Sequence, residues 1–373
     1  MYKSLFLESI KNYNLFVKSD QEFKKIVFYS EGKKYDHFYL PFIKSCLKNK
    51  LSFSYLSSDN QIPFETDNEK FKFYFIGKSF VRTYLFYMLE CENLITTTPD
   101  IGNLFLKKSE KCKNMTFFHH SMCGLTTTLN ENALTHYDTI LCSNKKHFDE
   151  LQTYKFSNPK AKLIKFGYPK IDEISKSNNF SLINKTLKKI LIAPTWGNEK
   201  EDFKIYKKLV EILIEKNLEV IFRPHPMTIL HHKNSLIDLK KQFKDTYNFS
   251  ISEKNNNLED YLISNLIISD WSGSAIEFAI ATNKPCIFLN TKRKIKNLNS
   301  SKEQKNNGFE FFFRKYLECE IEVEDISKIY EKIIKMRTND EFLKKIKILK
   351  EDYLYNFNKT DEKIDNYLKS IYH

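Results

Sequence analysis

Four stretches of this 373-residue sequence carry side chains suited to chemistry on a phosphate ester. Ser272-Gly273-Ser274 stands between the apolar run Leu266–Ser269 and a helical stretch, residues 275–281. There, free backbone N–H groups and the positive end of a helix dipole would meet two hydroxyls, and glycine lets a ligand approach the backbone. A plain helix cap made by Ser272 or Ser274 accounts for the same residues. Arg223-Pro224-His225-Pro226 follows the apolar run 218–222. Its prolines stiffen the turn, the guanidinium offers a planar fork to phosphate oxygens, and the imidazole can donate a hydrogen bond or a proton. In Phe117-Phe118-His119-His120 a strand ends in two histidines, which point to opposite faces if the strand continues. One is then packed and the other available as a general base, with a hydrogen-bonded structural histidine as the alternative. Glu277, about one helical turn past Ser274, can accept from a ribose hydroxyl or simply sit in a first helical turn. His136 and His147 read as structural, in helical or surface contexts, and His231 and His232 as exposed.

The elements that must position these groups alternate strand and helix. Strands are expected at 26–29, 51–56, 71–76, 93–96, 115–119, 139–142 and 163–166; the apolar runs 266–269 and 286–289 carry no alternation, the pattern of strands covered on both faces. A second set follows at 189–194, 218–222, 248–252 (a short edge strand), 266–269 and 286–289. Helices are expected over 1–24, 39–50, 79–90, 202–216 and 258–264, and over two or three segments of 324–373. Between 292 and 313 the sequence reads as a basic loop followed by an aromatic run. The alternation argues for mostly parallel α/β sheets. Three units follow: residues 1–175, 186–335 and 336–373, the last expected to pack back towards the first. A polar linker is expected over 175–185. Only eight glycines occur, roughly a third of the usual share. Gly32, Gly124, Gly167, Gly197 and Gly273 lie at or beside expected strand ends, where open α/β sheets bind ligands.

Composition narrows the field. Hydrophobic content of 41% and charged content of 29% are those of a globular protein. No run of eighteen apolar residues exists, so no membrane span is expected. The first residues lack a long apolar core and a small-residue cleavage site, so no export signal is expected either. The seven cysteines show no metal-binding spacing and no C-x-x-C pair. A cytoplasmic location with reduced thiols fits. Net charge is +13, but the lysines are spread through helical stretches and mixed with acids, unlike the stripe of a nucleic-acid binder. The excess is better matched to an anionic substrate or the inner face of an anionic membrane.

Taken together, Phe118-His119-His120-Ser121-Met122, Gly167-Tyr168-Pro169-Lys170-Ile171-Asp172, Ala193-Pro194-Thr195-Trp196, Arg223-Pro224-His225-Pro226 and Ser269-Asp270-Trp271-Ser272-Gly273-Ser274 with Lys284-Pro285 resemble the CDP-glycerol glycerophosphotransferases, which build teichoic-acid-type polymers. The motifs stand in family order over about residues 115–290. The resemblance implies a GT-B fold, two Rossmann-like domains facing across a cleft, the first for acceptor and the second for the nucleotide donor. It implies His120 and His225 as the catalytic pair, with Arg223, Thr195, Asp270, Ser272, Gly273, Ser274 and Glu277 at the substrate and nucleotide. The sequence departs from the family in His120-Ser121-Met122, where a His-Gly-Thr-like motif is usual. It departs again in Ser272-Gly273-Ser274 for a Ser-Ser pair, and in Glu277 where Asp is commoner. The implied reaction moves a polyol phosphate from a CDP-activated donor such as CDP-glycerol to a hydroxyl of a glycan or lipid-linked acceptor, with CMP leaving. No Asp-x-Asp occurs, so no metal and no cofactor are expected at the nucleotide. A GT-B glycosyltransferase using a CMP- or UDP-sugar for capsule or surface polysaccharide, a sugar-nucleotide epimerase and a non-catalytic basic scaffold remain the rival readings.

Overall fold

The computed structural model describes every residue except 1, 65–66, 79, 105, 155, 178–187, 197–198, 254–256, 294 and 338–339. Most of the expected linker, together with Gly197, lies outside the described residues.

Two fully parallel sheets form the frame. The first contains β1 (Ile26–Ser30), β2 (Phe53–Ser57), β3 (Phe71–Phe75), β4 (Cys91–Thr96), β5 (Cys112–Phe118), β6 (Thr139–Cys142) and β7 (Lys162–Lys165), in the order β3-β2-β1-β4-β5-β6-β7. The second contains β8 (Lys189–Ile192), β9 (Glu219–Phe222), β10 (Phe249–Ile251), β11 (Leu266–Ser269), β12 (Cys286–Asn290) and β13 (Glu320–Glu322), in the order β10-β9-β8-β11-β12-β13. Both are two-sided. Strands β1, β2 and β11 are buried along their whole length; β1 and β11 accordingly run apolar without alternation, whereas β2 alternates Ser54 and Ser57 with Phe53, Tyr55 and Leu56 and buries both serines. Registers are tight in the middle of each sheet: Phe28 lies opposite Tyr55 and Ile95, and Ile268 opposite Ile192 and Ile287.

One core covers the second sheet, and two others involve the first. The helix Asp340–Asp352 buries Phe342, Ile346 and Leu349 in the core of the second sheet. The final helix, Thr360–Tyr372, crosses to the first and buries Ile364, Tyr367 and Leu368 there. Asp172 fixes that crossing by accepting from the Asn358 and Thr360 backbone N–H groups, each at 2.9 Å. Thr116 of β5 and Tyr367 share a hydroxyl hydrogen bond of 2.6 Å.

The structure differs from the sequence reading in two places that matter. The helix expected from residue 39 runs from Lys33 to Lys48 and carries Pro41 in its interior. Proline is tolerated mainly in a first turn, so its position argues for a later start than the one found. The earlier start puts Lys34, His37 and Phe38 on the helix. The aromatic run is a helix, Phe309–Leu317, with Phe309, Phe313 and Leu317 on its buried face, and it leads into β13. Its Glu310 is fully buried and reaches the first lobe. The carboxylate accepts from Gly124 N at 2.6 Å and Thr127 Oγ1 at 2.5 Å and pairs with Arg293 at 2.8 Å. Gly124 is required for this approach, because a Cβ there would lie 2.5 Å from Gly308 Cα. Breaking a buried ion pair leaves one charge unmatched. Glu310→Gln is therefore expected to lower unfolding free energy by about 3 kcal/mol, read as a drop in urea midpoint; an unchanged midpoint would contradict the role given to this carboxylate.

Candidate active site

The turn after β11 is held from inside its own lobe. Asp270 is buried; its carboxylate accepts from Thr195 N at 2.7 Å and Tyr206 Oη at 2.9 Å, and burial pushes its pKa up. Arg314, also fully buried, donates to the Asp270 carbonyl at 3.1 Å, pairs with Glu320 at 3.0 Å, and lies 3.6 Å from the centre of the Trp271 ring. Next comes the helix Gly273–Thr282, with Ser272 as N-cap and its hydroxyl accepting from Ser274 N at 3.2 Å. Tyr261 donates to the Ser274 carbonyl at 2.9 Å. Lys284 closes the preceding helix by donating to the carbonyls of Tyr261, Leu262 and Ser264 at 3.1, 2.8 and 2.7 Å; burial brings its pKa down to about 8.

The Arg223-Pro224-His225-Pro226 turn follows β9, as the sequence predicts. His225 is the N-cap of the helix Pro226–His231, its Nδ1 accepting from Met227 N at 3.1 Å. An accepting Nδ1 leaves the proton of the neutral ring on Nε2. Arg223 is oriented by buried Asp260 at 2.6 Å, a carboxylate that also takes the Ser252 hydroxyl at 2.6 Å.

On the first sheet, β5 ends at Phe118 and delivers His119 and His120. His120 is half-buried, with Nδ1 2.7 Å from Thr97 Oγ1. The rings of Tyr35 and Phe38 stand 5.1 and 5.6 Å from it. Burial lowers its pKa to about 4, helped by Lys170, Lys296 and Lys34, so the imidazole is neutral and able to accept a proton at pH 7. His37, its ring tilted by 39° against that of Phe38 at 3.9 Å, is held near 3 by burial, with Lys170, His120 and Arg223 adding to the effect. His147 is helical, as read, and deeply buried. Its Nε2 sits 2.8 Å from the Cys123 carbonyl, so that nitrogen donates, and Nδ1 lies 2.8 Å from Ser143 Oγ. It anchors the loop that follows His120.

The carboxyl ends of the two sheets meet at this loop. A Cβ on Gly273 would lie 3.2 Å from Ser121 Oγ and 3.5 Å from both Cys123 Sγ and Met122 N. Cys123 Sγ is 3.6 Å from the Trp271 carbonyl, and Lys34 Nζ is 3.9 Å from Met227 Sδ, two residues past His225. The junction thus joins the loop after His120, the tip of the Gly273–Thr282 helix and the Arg223–Met227 turn. Two residues sit differently from the sequence reading. Asp270 turns inward to hold Thr195 and Tyr206 instead of facing a ligand. Glu277 is buried, accepts from Tyr168 Oη at 2.8 Å and pairs with Lys170 at 2.7 Å. Tyr168 and Lys170 belong to a motif the sequence singled out, but no local spacing links them to residue 277. Arg314 and Glu310 were missed altogether, because only tertiary contact distinguishes them from a solvated helix face.

Residues 58–361 match the family model described as CDP-glycerol:poly(glycerophosphate) glycerophosphotransferase. The chain belongs to this family. It is a transferase of the CDP-glycerol glycerophosphotransferase type. Among solved structures it is similar to the wall teichoic acid polymerase TagF in a His-to-Asn variant, at 15% identity and a TM-score of 0.63, over 97% of this chain and 93% of that one. The same polymerase soaked with CDPG matches at 16% identity and a TM-score of 0.61, over 97% and 92% of the two chains. The UDP-GlcNAc 2-epimerase of Methanocaldococcus jannaschii, in complex with UDP-GlcNAc and UDP, matches at 14% identity and a TM-score of 0.56, over 92% and 99%. These likenesses show the GT-B fold. Comparison with curated proteins finds no match.

Buried neutral imidazoles make stability depend on pH. His119 and His147 have folded pKa values well below the ordinary 6.5, that of His147 at about 4, each chiefly through burial. Unfolding lets them take up protons, so they favour the fold above pH 6.5 and lose that contribution as pH falls towards 4, at up to about 1.4 kcal/mol per pH unit for each ring. Glu150 acts in the opposite sense: burial raises its pKa to about 7, so its contribution fades as pH rises through 7. The two imidazoles outweigh the single carboxyl between pH 6.5 and 5. The urea midpoint is expected to fall across that interval, and a midpoint that rises on acidification would overturn the account.

Proposed function

We propose that this protein transfers glycerol phosphate from CDP-glycerol to a hydroxyl of a glycan or lipid-linked acceptor in teichoic-acid-type polymer synthesis, releasing CMP. What supports the reading is one juxtaposition: Lys34 Nζ lies 3.9 Å from Met227 Sδ, two residues past His225, and on the same helix the Phe38 ring stands 5.6 Å from that of His120. The Lys33–Lys48 helix thus touches both candidate catalytic stretches. In the proposed step the acceptor oxygen attacks the distal phosphorus, a new P–O bond forms, and the bond to the bridging oxygen of CMP breaks. His120 takes the hydroxyl proton, since its ring is neutral at pH 7. Arg223 and the Nε2–H of His225 donate to the phosphoryl oxygens as charge shifts towards CMP. Ser272, Gly273, Ser274 and the helix tip hold the diphosphate, with Thr195 beside them. Asp270 acts on this site through Thr195. Glu277 ties the lobes through Tyr168 and Lys170, so it can take the ribose only where that pair opens. Every positive group invoked here belongs to the protein, and the mechanism calls on no metal.

His120→Ala and His225→Ala are each expected to reduce kcat by about 10²–10⁴-fold, with thermal stability little changed. Phosphorus NMR of the wild-type product is expected to show a phosphodiester. A glycoside, or full activity in both variants, would sink the assignment.

The same reading includes contact with the inner face of an anionic membrane, where a lipid-linked acceptor would lie. The helices Tyr2–Val17 and Phe80–Tyr87 pack together and leave Leu7, Phe80, Tyr84 and Tyr87 at 58, 80, 55 and 53% exposure. Lys11 is exposed on the first of these helices and Lys18 just after it, and Lys78 stands just before the second. Apolar side chains beside lysines suit an anionic interface. No helix among the described residues is long and apolar enough to cross a membrane. Leu7→Glu with Phe80→Glu is expected to lower sedimentation with phosphatidylglycerol vesicles by at least tenfold, on the order of 1–2 kcal/mol of lost apolar burial. Undiminished sedimentation would argue against this face.

A further inference from the structure

The amino ends of β4 and β5, on the edge of the first sheet turned away from the cleft, carry two cysteines side by side. Cys91 begins β4, Cys112 begins β5, and the two are direct partners in the parallel register. Partners on adjacent strands stand about 4.8 Å apart, within the roughly 4.4–6.8 Å between Cα atoms that a disulfide spans. Both side chains lie in the same core, as register partners on one face of a sheet should. Their thiols share a side-chain hydrogen bond. Of the other strand cysteines, Cys142 opposes Lys165 and Cys286 opposes Ile267.

Both cysteines are free and buried, at 3 and 5% exposure. The pair nevertheless borders solvent, because Glu90, Lys111 and Lys113 beside it are exposed. The two thiols are not equivalent. Their hydrogen bond lowers the pKa of Cys112, with Lys108 adding to the effect, whereas the same bond and burial push that of Cys91 up. In its neutral form Cys112 Sγ has the Asn114 carbonyl at 3.6 Å as acceptor. A thiol inclined to ionise, next to one that keeps its proton, is the arrangement of an attacking and a resolving cysteine.

We propose that Cys91 and Cys112 are a redox modification site, closed by a hydroperoxide into a disulfide that clamps β4 to β5 and reopened by a dithiol. In the first step the Cys112 thiolate attacks one oxygen of the peroxide. An S–O bond forms, the O–O bond breaks, and the other oxygen leaves as hydroxide or alkoxide and is protonated by water. In the second step the Cys91 sulfur attacks the sulfenic sulfur of Cys112. The S–S bond forms, the S–O bond breaks, and the hydroxyl leaves as water with the proton from Cys91. The two sulfurs together lose two electrons and the peroxide gains them, so no further co-reactant is needed. Disulfides in reducing compartments are mostly of this transient kind. The clamp joins the strands whose carboxyl ends deliver Thr97 and His120, themselves linked at 2.7 Å. It does not depend on which group the enzyme transfers.

The folded full chain, treated with a few equivalents of hydrogen peroxide, provides the test. Two of the seven thiols are expected to disappear, the mass to drop by about 2 Da as two hydrogens leave, and a tryptic digest to show Cys91 joined to Cys112. Dithiothreitol is expected to restore all seven. The urea midpoint, read without reductant, is expected to rise on oxidation, because a crosslink constrains the unfolded chain, and to return on reduction. Cys91→Ser is expected to stop at the sulfenic acid of Cys112, which dimedone traps. Seven thiols retained, a disulfide joining any other pair, conversion of wild-type Cys112 to a sulfinic acid, or an oxidised form no harder to unfold would each overturn the proposal. If Cys91→Ser does not fold, the wild-type peptide map decides.

Discussion

The rest of the structure depends on the backbone contact between the loop after β5 and the tip of the Gly273–Thr282 helix. Parallel sheets carry their ligand-binding loops at their carboxyl ends, and here two sheets turn those ends towards each other. The approach is close: a Cβ on Gly273 would lie 3.2 Å from Ser121 Oγ, which would have to give slightly, and at contact distance from Met122 and Cys123. Gly124 and Gly308 repeat the arrangement a short way along. Each glycine permits a crossing of chains, and each crossing sets where His120, Arg223 and the helix tip stand.

Charge follows from the same geometry. Asp260, Asp270 and Glu310 are buried, each satisfied by an arginine, a backbone N–H or a hydroxyl. Acids are thereby turned away from the cleft, while Lys34, Lys170 and Arg223 bear on its imidazoles. The imidazoles stay neutral because they are buried beside cations, and that same burial makes the fold sensitive to acid.

The likeness to both a teichoic acid polymerase and UDP-GlcNAc 2-epimerases shows how little the scaffold alone decides. The same pair of facing parallel sheets underlies both likenesses. Family membership rests on residues 58–361, and the histidine motifs fall within that span.

Much of this was legible in the residues themselves. Unalternating apolar runs mark β1 and β11 as strands buried on both faces, because a strand covered on both sides has no polar phase to show. Proline, glycine and histidine at strand ends mark the turns, because those residues have few other uses in so glycine-poor a chain. Local pattern could not reach Glu277 on Tyr168 and Lys170, Arg314 against Trp271, or Glu310 against Gly124. Each joins residues more than forty positions apart, or across the two lobes, and a carboxylate or guanidinium looks the same in sequence whether solvated or buried.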